Sequence, residues 1–234
     1  MTQDFEYLKA NLENVRERVK QAAIRSGRTE KDIKIVAVTK TVNTDVIQKA
    51  LEYGVTDIGE NKVQEILEKQ DIIKAECNWH LIGHLQRNKV KYIIDKVAMI
   101  HSLDSVELAA EINKRACAAG RVMDVLVQVN VSGEETKHGI SPVEVSDFLK
   151  KVSVFKNIKV RGLMTMAPYA DKESVRPVFR TLKKIFVDMA NENIDNINME
   201  YLSMGMSNDF EVAIEEGANI VRIGTSIFGQ RNYL

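Results

Sequence analysis

Lys40 stands just beyond the apolar run 35–38, a β-branched stretch that reads as a strand covered on both faces. Its amine is therefore placed at a partly desolvated strand end. Desolvation lowers an amine's pKa, and the lone pair this exposes is the nucleophile of Schiff-base chemistry. The plainer alternative is a strand-end lysine whose head reaches water. Two later stretches, SMGMS at 203–207 and RIGTSIFG at 222–229, combine glycine with hydroxyl groups. Glycine lets backbone N–H groups approach an anion, hydroxyls add donors, and a following helix turns its positive end toward the same place, so both loops suit a phosphate. Read alone, these glycines could equally end strands and Ser207 could cap a helix at Asn208. A lysine and a phosphate cradle on one rim would together take an aldehyde that carries a phosphate.

Such a rim needs a scaffold. Eight strand-like segments occur in order, at 33–38, 55–59, 79–82, 98–101, 125–131, 160–164, 201–203 and 220–223. Seven helical stretches separate them, among them 44–54, which ends on Gly54, and 104–120. Another starts at Ser141 with Pro142 in its first turn and Glu144 completing a capping box. Before the first strand, Leu8, Leu12, Val15 and Val19 make the apolar stripe of a helix from Phe5 to about Gly27. This alternation predicts an α/β fold, a closed (β/α)8 barrel whose extra N-terminal helix covers the place of an eighth inter-strand helix. An open doubly wound sheet is the alternative, and the lack of a GxGxxG after the first strand removes its usual dinucleotide signal. In a barrel, the carboxyl ends of the strands build the active face. They deliver Lys40, then Glu60 and Asn61, then His80, Gly83 and His84, then His101 and Ser102, then Asn130 and Ser132, and finally the two glycine-hydroxyl loops.

The 234 residues, 44% hydrophobic and 28% charged, are expected to form one domain over 1–234. With 33 basic and 33 acidic residues the chain has no net field to gather nucleic acid or an anionic membrane. No apolar run approaches the length of a membrane span, and the two cysteines, Cys77 and Cys117, lack disulfide or zinc spacing. A reducing, cytoplasmic location is the expectation. Trp79, Met164 and Met166 are read as packed barrel layers, and 86–92 as the solvated face of a helix. No third group completes a ligand set with His84 or His101, so no metal is assigned. Lys137 is read as a solvated loop lysine, with a second Schiff-base site as the alternative.

The stretches IVAVTK, GENKVQE, WHLIGHLQRNK, SGEETKHG, RGLMTM, LSMGMSNDFEVAI and VRIGTSIFG, in this order along nearly the whole chain, resemble the YggS/PROSC family of pyridoxal phosphate homeostasis proteins. Those proteins are in turn similar to the N-terminal barrel of alanine racemases. The resemblance implies that Lys40 carries pyridoxal 5'-phosphate as an internal aldimine. It also implies that Ser203, Gly224 and Thr225 hold the phosphate, that Met204 and Ser207 complete the cradle, and that Asn61 and His80 lie near the cofactor. Arg222 would face the pyridine nitrogen, where a permanent positive charge disfavours protonation of the ring and weakens it as an electron sink. The role implied is a carrier or buffer of vitamin B6 with no catalytic residue, serving apo forms of pyridoxal-dependent enzymes as a monomer or weak dimer. An amino acid racemase is the alternative. It is disfavoured because the chain ends at Leu234, before any second domain that could supply another acid/base group. A cofactor-free aldolase would place its lysine on the sixth strand, where Gly162 to Met164 stand instead.

Overall fold

Each strand pairs in parallel with the next and the last with the first, so the sheet closes into a barrel in the order β1 to β8. The computed structural model describes residues 5–134 and 136–230. The chain begins with α1 (Glu6–Arg25) and continues through β1 (Lys34–Val38), α2 (Thr44–Glu52), β2 (Asp57–Glu60), α3 (Val63–Ile72) and β3 (Asn78–Leu81). There follow β4 (Met99–Leu103), α4 (Val106–Ala118), β5 (Met123–Gln128), α5 (Val145–Val152), β6 (Ile158–Met164) and α6 (Arg176–Asn191). The described chain closes with β7 (Ile197–Ser203), α7 (Phe210–Glu215), β8 (Ile220–Ile223) and the short α8 (Thr225–Phe228).

The expected seven inter-strand helices become six α-helices and, between β3 and β4, a 3-10 helix at Arg87–Tyr92. Only Val90 of that turn is buried, so it has no apolar stripe to support a longer α-helix. The capping box at Ser141 is present, but it heads a 3-10 turn, Pro142–Glu144, that leads into α5. The strand expected at 125–131 ends earlier, at Gln128, because the Asn130 side chain donates to Glu134 O at 2.9 Å and turns the chain. Beside the short α8, the leading helix fills the gap. Leu8, Leu12, Val15 and Val19 are buried, Asn11 Nδ2 donates to Ile227 O at 3.0 Å, and Arg18 pairs with Glu211 of α7 at 3.0 Å. Among the described residues no helix is long and apolar enough to cross a membrane.

Two cores result. Between strands and helices lies the larger one, which includes Trp79. Inside the barrel Val36, Val38, Ile82, Met99, Leu126, Met164 and Ile220 pack together, with Met166 against them. Alternate positions of the same strands also point inward. On β2, β3, β4, β7 and β8 several of these are polar: Asp57, His80, His101, Ser203 and Arg222.

Candidate functional site

Lys40 is half-buried just past the end of β1 and is held from both sides. On one side Thr39 is fully buried, and its Oγ1 donates to Glu60 Oε1 at 2.6 Å. Lys69 of α3 donates to Thr39 O and Glu60 Oε1, both at 2.8 Å, and to Glu65 Oε2 at 3.0 Å. On the other side Thr41 N donates to the same Glu65 oxygen at 2.8 Å. Thr41 has φ 62, a left-handed conformation that a β-branched residue adopts only at about 1–3 kcal/mol, and this clamp offsets the strain. Burial pushes the Glu60 carboxyl up, against the hydrogen bonds from Lys69 and Thr39, and its Oε2 is buried without a hydrogen-bond partner.

The loops after β6, β7 and β8 complete a cavity of about 410 Å3 at this rim. Lys40, Tyr169, Ser207, Arg222, Gly224 and Thr225 all line it. Ser207 Oγ accepts from Gly224 N at 3.3 Å and from Ser226 N at 3.2 Å, so it ties the two glycine-hydroxyl loops together while its own proton stays available to an anion. It does not cap a helix at Asn208. The following helix starts at Phe210, and it is Asp209 whose carboxylate accepts from Met206 N at 2.5 Å. The turn requires glycine at 205. Its φ is 95, and a Cβ there would lie 2.6 Å from Ala213 Cβ and 2.9 Å from Phe210 Cα.

Behind the cavity a chain of hydrogen bonds crosses the barrel interior. Arg222 Nη1 meets Ser203 Oγ at 2.6 Å, Ser203 Oγ meets His101 Nδ1 at 3.1 Å, and His101 Nε2 meets His80 Nδ1 at 2.9 Å. His80 Nε2 then meets Asp57 Oδ1 at 2.9 Å, where Lys34 Nζ also arrives at 2.9 Å. A guanidinium only donates and a carboxylate only accepts, so the two ends of the chain are set, with Arg222 donating to Ser203 and His80 Nε2 donating to Asp57. Between those ends, Ser203 Oγ and the two imidazoles are joined by hydrogen bonds whose direction follows the imidazole tautomers. Burial, and then the charges around it, hold His101 well below the usual histidine range. Burial would raise Asp57, but hydrogen bonds from His80, Lys34 and Thr56 outweigh it and hold the carboxyl well below its ordinary value. Burial lowers Arg222 to about 10, opposed by Asp209, and the group stays charged at neutral pH. Arg222 also donates to Ser203 O at 2.9 Å and Thr165 O at 2.8 Å. Its five-donor fork still has N–H capacity for a ligand in the cavity it lines.

The structure therefore brings Lys40, Ser207, Arg222, Gly224 and Thr225 to one cavity, whereas Asn61, His80, Ser203 and Met204 do not line it. Ser203 and Met204 are fully buried, the Ser203 hydroxyl is bonded to Arg222 and His101, and Met204 N donates to Ile220 O at 3.1 Å. Asn61 directly follows β2, the strand next to β1, and a Cβ on Gly83 would come within 2.4 Å of its carbonyl oxygen. The supporting residues Asp57, Lys69 and Asp209 escape a reading of motifs. Lys69 alone leaves a trace, because it continues the three-residue spacing of the buried Val63 and Ile66. Beside His84, where no third ligand was expected, the fold gathers Asp104 and His138.

Fold and site together define the class: a parallel barrel with a lysine at the end of its first strand, matched over residues 4–232 by the family model "Alanine racemase, N-terminal domain". The chain belongs to the family of pyridoxal phosphate homeostasis proteins. It is 48% identical over 224 residues to the Aquifex aeolicus protein of that name, covering 95% of this chain and 97% of that one. It is 35% identical over 227 residues to the Escherichia coli K12 protein of the same name, covering 95% and 96%. Among solved structures it is similar to PipY of Synechococcus elongatus with PLP bound, at TM-score 0.83 and 27% identity, covering 95% of this chain and 100% of that one. An alanine racemase of Clostridium difficile shares the fold at TM-score 0.70 and 21% identity, with 97% of this chain matching 56% of the racemase.

Proposed function

We propose that the protein binds pyridoxal 5'-phosphate as a Schiff base on Lys40 and serves vitamin B6 homeostasis as a carrier or buffer, supplying apo forms of pyridoxal-dependent enzymes. The cofactor brings an aldehyde that an unprotonated amine can capture and a phosphate that needs hydrogen-bond donors. One observation carries the reading: Lys40 and the loops of Ser207, Gly224 and Thr225 face a single cavity of about 410 Å3, within the size range of small-molecule sites. In this reading Lys40 captures the aldehyde, while the Ser207 hydroxyl and the Gly224–Thr225 turn hold the phosphate. Ser203 and His80 act from behind the wall, by orienting Arg222. Met204 anchors the loop through its backbone, and Asn61 shapes the mouth at the end of β2, next to the strand that leads to Lys40.

Arg222 favours holding over turnover. A buried guanidinium that stays charged would oppose protonation of a pyridine nitrogen beside it, and the ring would then draw electrons weakly from a substrate carbon. The PLP-bound state of PipY and the names of the relatives support the same choice over a racemase. We take residues 1–234 as one binding unit acting in the cytoplasm as a monomer or weak dimer. The two free cysteines support a reducing compartment. The test is the absorption spectrum of the purified chain with pyridoxal phosphate, before and after adding amino acids. A visible Schiff-base band that Lys40→Ala abolishes, with no turnover of any common amino acid, is expected. A band that survives in Lys40→Ala contradicts the binding reading, and rapid racemisation contradicts the carrier reading.

A further inference from the structure

We propose that His84, Asp104 and His138 form a site for one divalent late transition-metal ion, with Zn2+ as the type case, that staples the loop after β5 to the loops after β3 and β4. The three residues come from three successive strand ends, and one ligand atom from each lies within 4.8 Å of the other two. The imidazoles face each other with centroids 3.8 Å apart and 11° between their planes, and His84 Nδ1 stands 3.4 Å from Asp104 Oδ2. Among the described residues no hydrogen bond reaches the His138 ring, whose aromatic contact is the face of His84.

A separate hydrogen bond anchors the chain at or next to each ligand. Ser102 Oγ donates to Gly83 O at 2.7 Å, next to His84. Ser105 Oγ accepts from Leu108 N at 3.3 Å and caps α4 directly after Asp104. Gln128 Nε2 donates to His138 O at 2.8 Å. The side chains therefore start from anchored positions, and only their outer torsions have to move.

Two imidazoles stacked in water gain little from each other, and they repel when both are protonated. A cation gives both nitrogens and the carboxylate a common partner. Two imidazole nitrogens with one carboxylate oxygen suit Zn2+, Co2+, Ni2+ or Cu2+, whereas Mg2+ and Ca2+ prefer all-oxygen shells. Because an imidazole lone pair lies in the plane of its ring, an ion held at zinc–ligand distances of about 2.0–2.2 Å would unstack the two rings, each turning its nitrogen toward the common centre. His84 and Asp104 also line a groove of about 1100 Å3, so a fourth position would open to water.

The test is calorimetric titration of tag-free, full-length protein with Zn2+ near neutral pH, with Co2+ as the absorbing substitute. The expected result is one ion per chain and a Co2+ spectrum without thiolate bands. His84→Ala and His138→Ala should each weaken binding at least about tenfold, since loss of a ligand should exceed the effect of losing a group that orients one. Zn2+ should also slow amide exchange in residues 129–141. His138→Gln, which keeps a side chain of similar polarity, should match His138→Ala. Saturable binding that is unchanged in both His138 variants, thiolate bands in the Co2+ spectrum, no saturable binding, or exchange in 129–141 indifferent to Zn2+ would each overturn the proposal.

Discussion

The interior of this barrel and its mouth are built from the ends and the middles of the same strands, yet they use their hydrogen bonds in opposite ways. Inside, from Arg222 to Asp57, each side chain is hydrogen-bonded to the next, and the groups are almost wholly shielded from water. A buried polar network that is fully satisfied is rigid, and removal of any member strands its neighbours. At the mouth, Lys40 and Ser207 are half-buried, Thr225 is exposed, and the Ser207 proton has capacity left for a ligand. Membership of one motif therefore does not identify the ligand-holding residues. Ser203 and Ser207 stand four apart in one motif, and only the second faces the cavity.

Substitutions can break this contrast. The largest effect belongs to Asp57→Ala, which leaves His80 and Lys34 without their acceptor. It should cost about 3–5 kcal/mol in urea unfolding, and a loss below about 1 kcal/mol would show that the network is not rigid. Next come the two serines. Ser203→Ala should lower stability by about 1–3 kcal/mol through the stranded His101 and Arg222. Ser207→Ala should weaken pyridoxal phosphate binding by about 1.5–3 kcal/mol, the value of a hydrogen bond to a charged group, while unfolding shifts by less than about 1 kcal/mol. If the two variants exchanged phenotypes, the division between interior and mouth would be wrong.

The pH dependence follows from the lowered pKa of His101. The unfolded chain protonates this histidine near its ordinary value of about 6.5 and the folded chain only well below, so stability is present above that value and declines as pH falls beneath it. The slope should reach about 1.4 kcal/mol per pH unit. Glu60, whose pKa is raised, works in the opposite direction just above the ordinary glutamate range. The informative quantity is therefore the difference from His101→Gln, which should remove the His101 slope. Equal slopes in the two proteins would mean that His101 is not held neutral. The smallest effect is expected of Thr225→Ala. It should change stability by no more than about 0.5 kcal/mol and binding by about 1 kcal/mol, measured by equilibrium dialysis.

Strand periodicity made the barrel legible, since eight apolar runs separated by helical stripes leave few other closures. The connection at Arg87–Tyr92 was less so, because a short basic stretch with one buried residue has the same spacing in a 3-10 turn as in the start of an α-helix. Lys40 and the loops of Ser207 and Gly224 were visible as residue types at strand ends. The interior network was not. A motif shows that His80 and Ser203 matter, but whether a side chain points at a ligand or at another strand depends on inward register across the barrel. Asp57 and His101 reach the same wire from strands far apart in the chain, and His138 reaches His84 across 54 positions, a juxtaposition that only closure of the sheet creates.

The central claim is that the amine of Lys40 captures the aldehyde. Borohydride reduction of the pyridoxal phosphate-loaded protein, followed by peptide mapping, addresses it directly. The account predicts one modified residue, Lys40, at one cofactor per chain. Modification of another lysine, Lys137 for instance, with Lys40 left intact would contradict it.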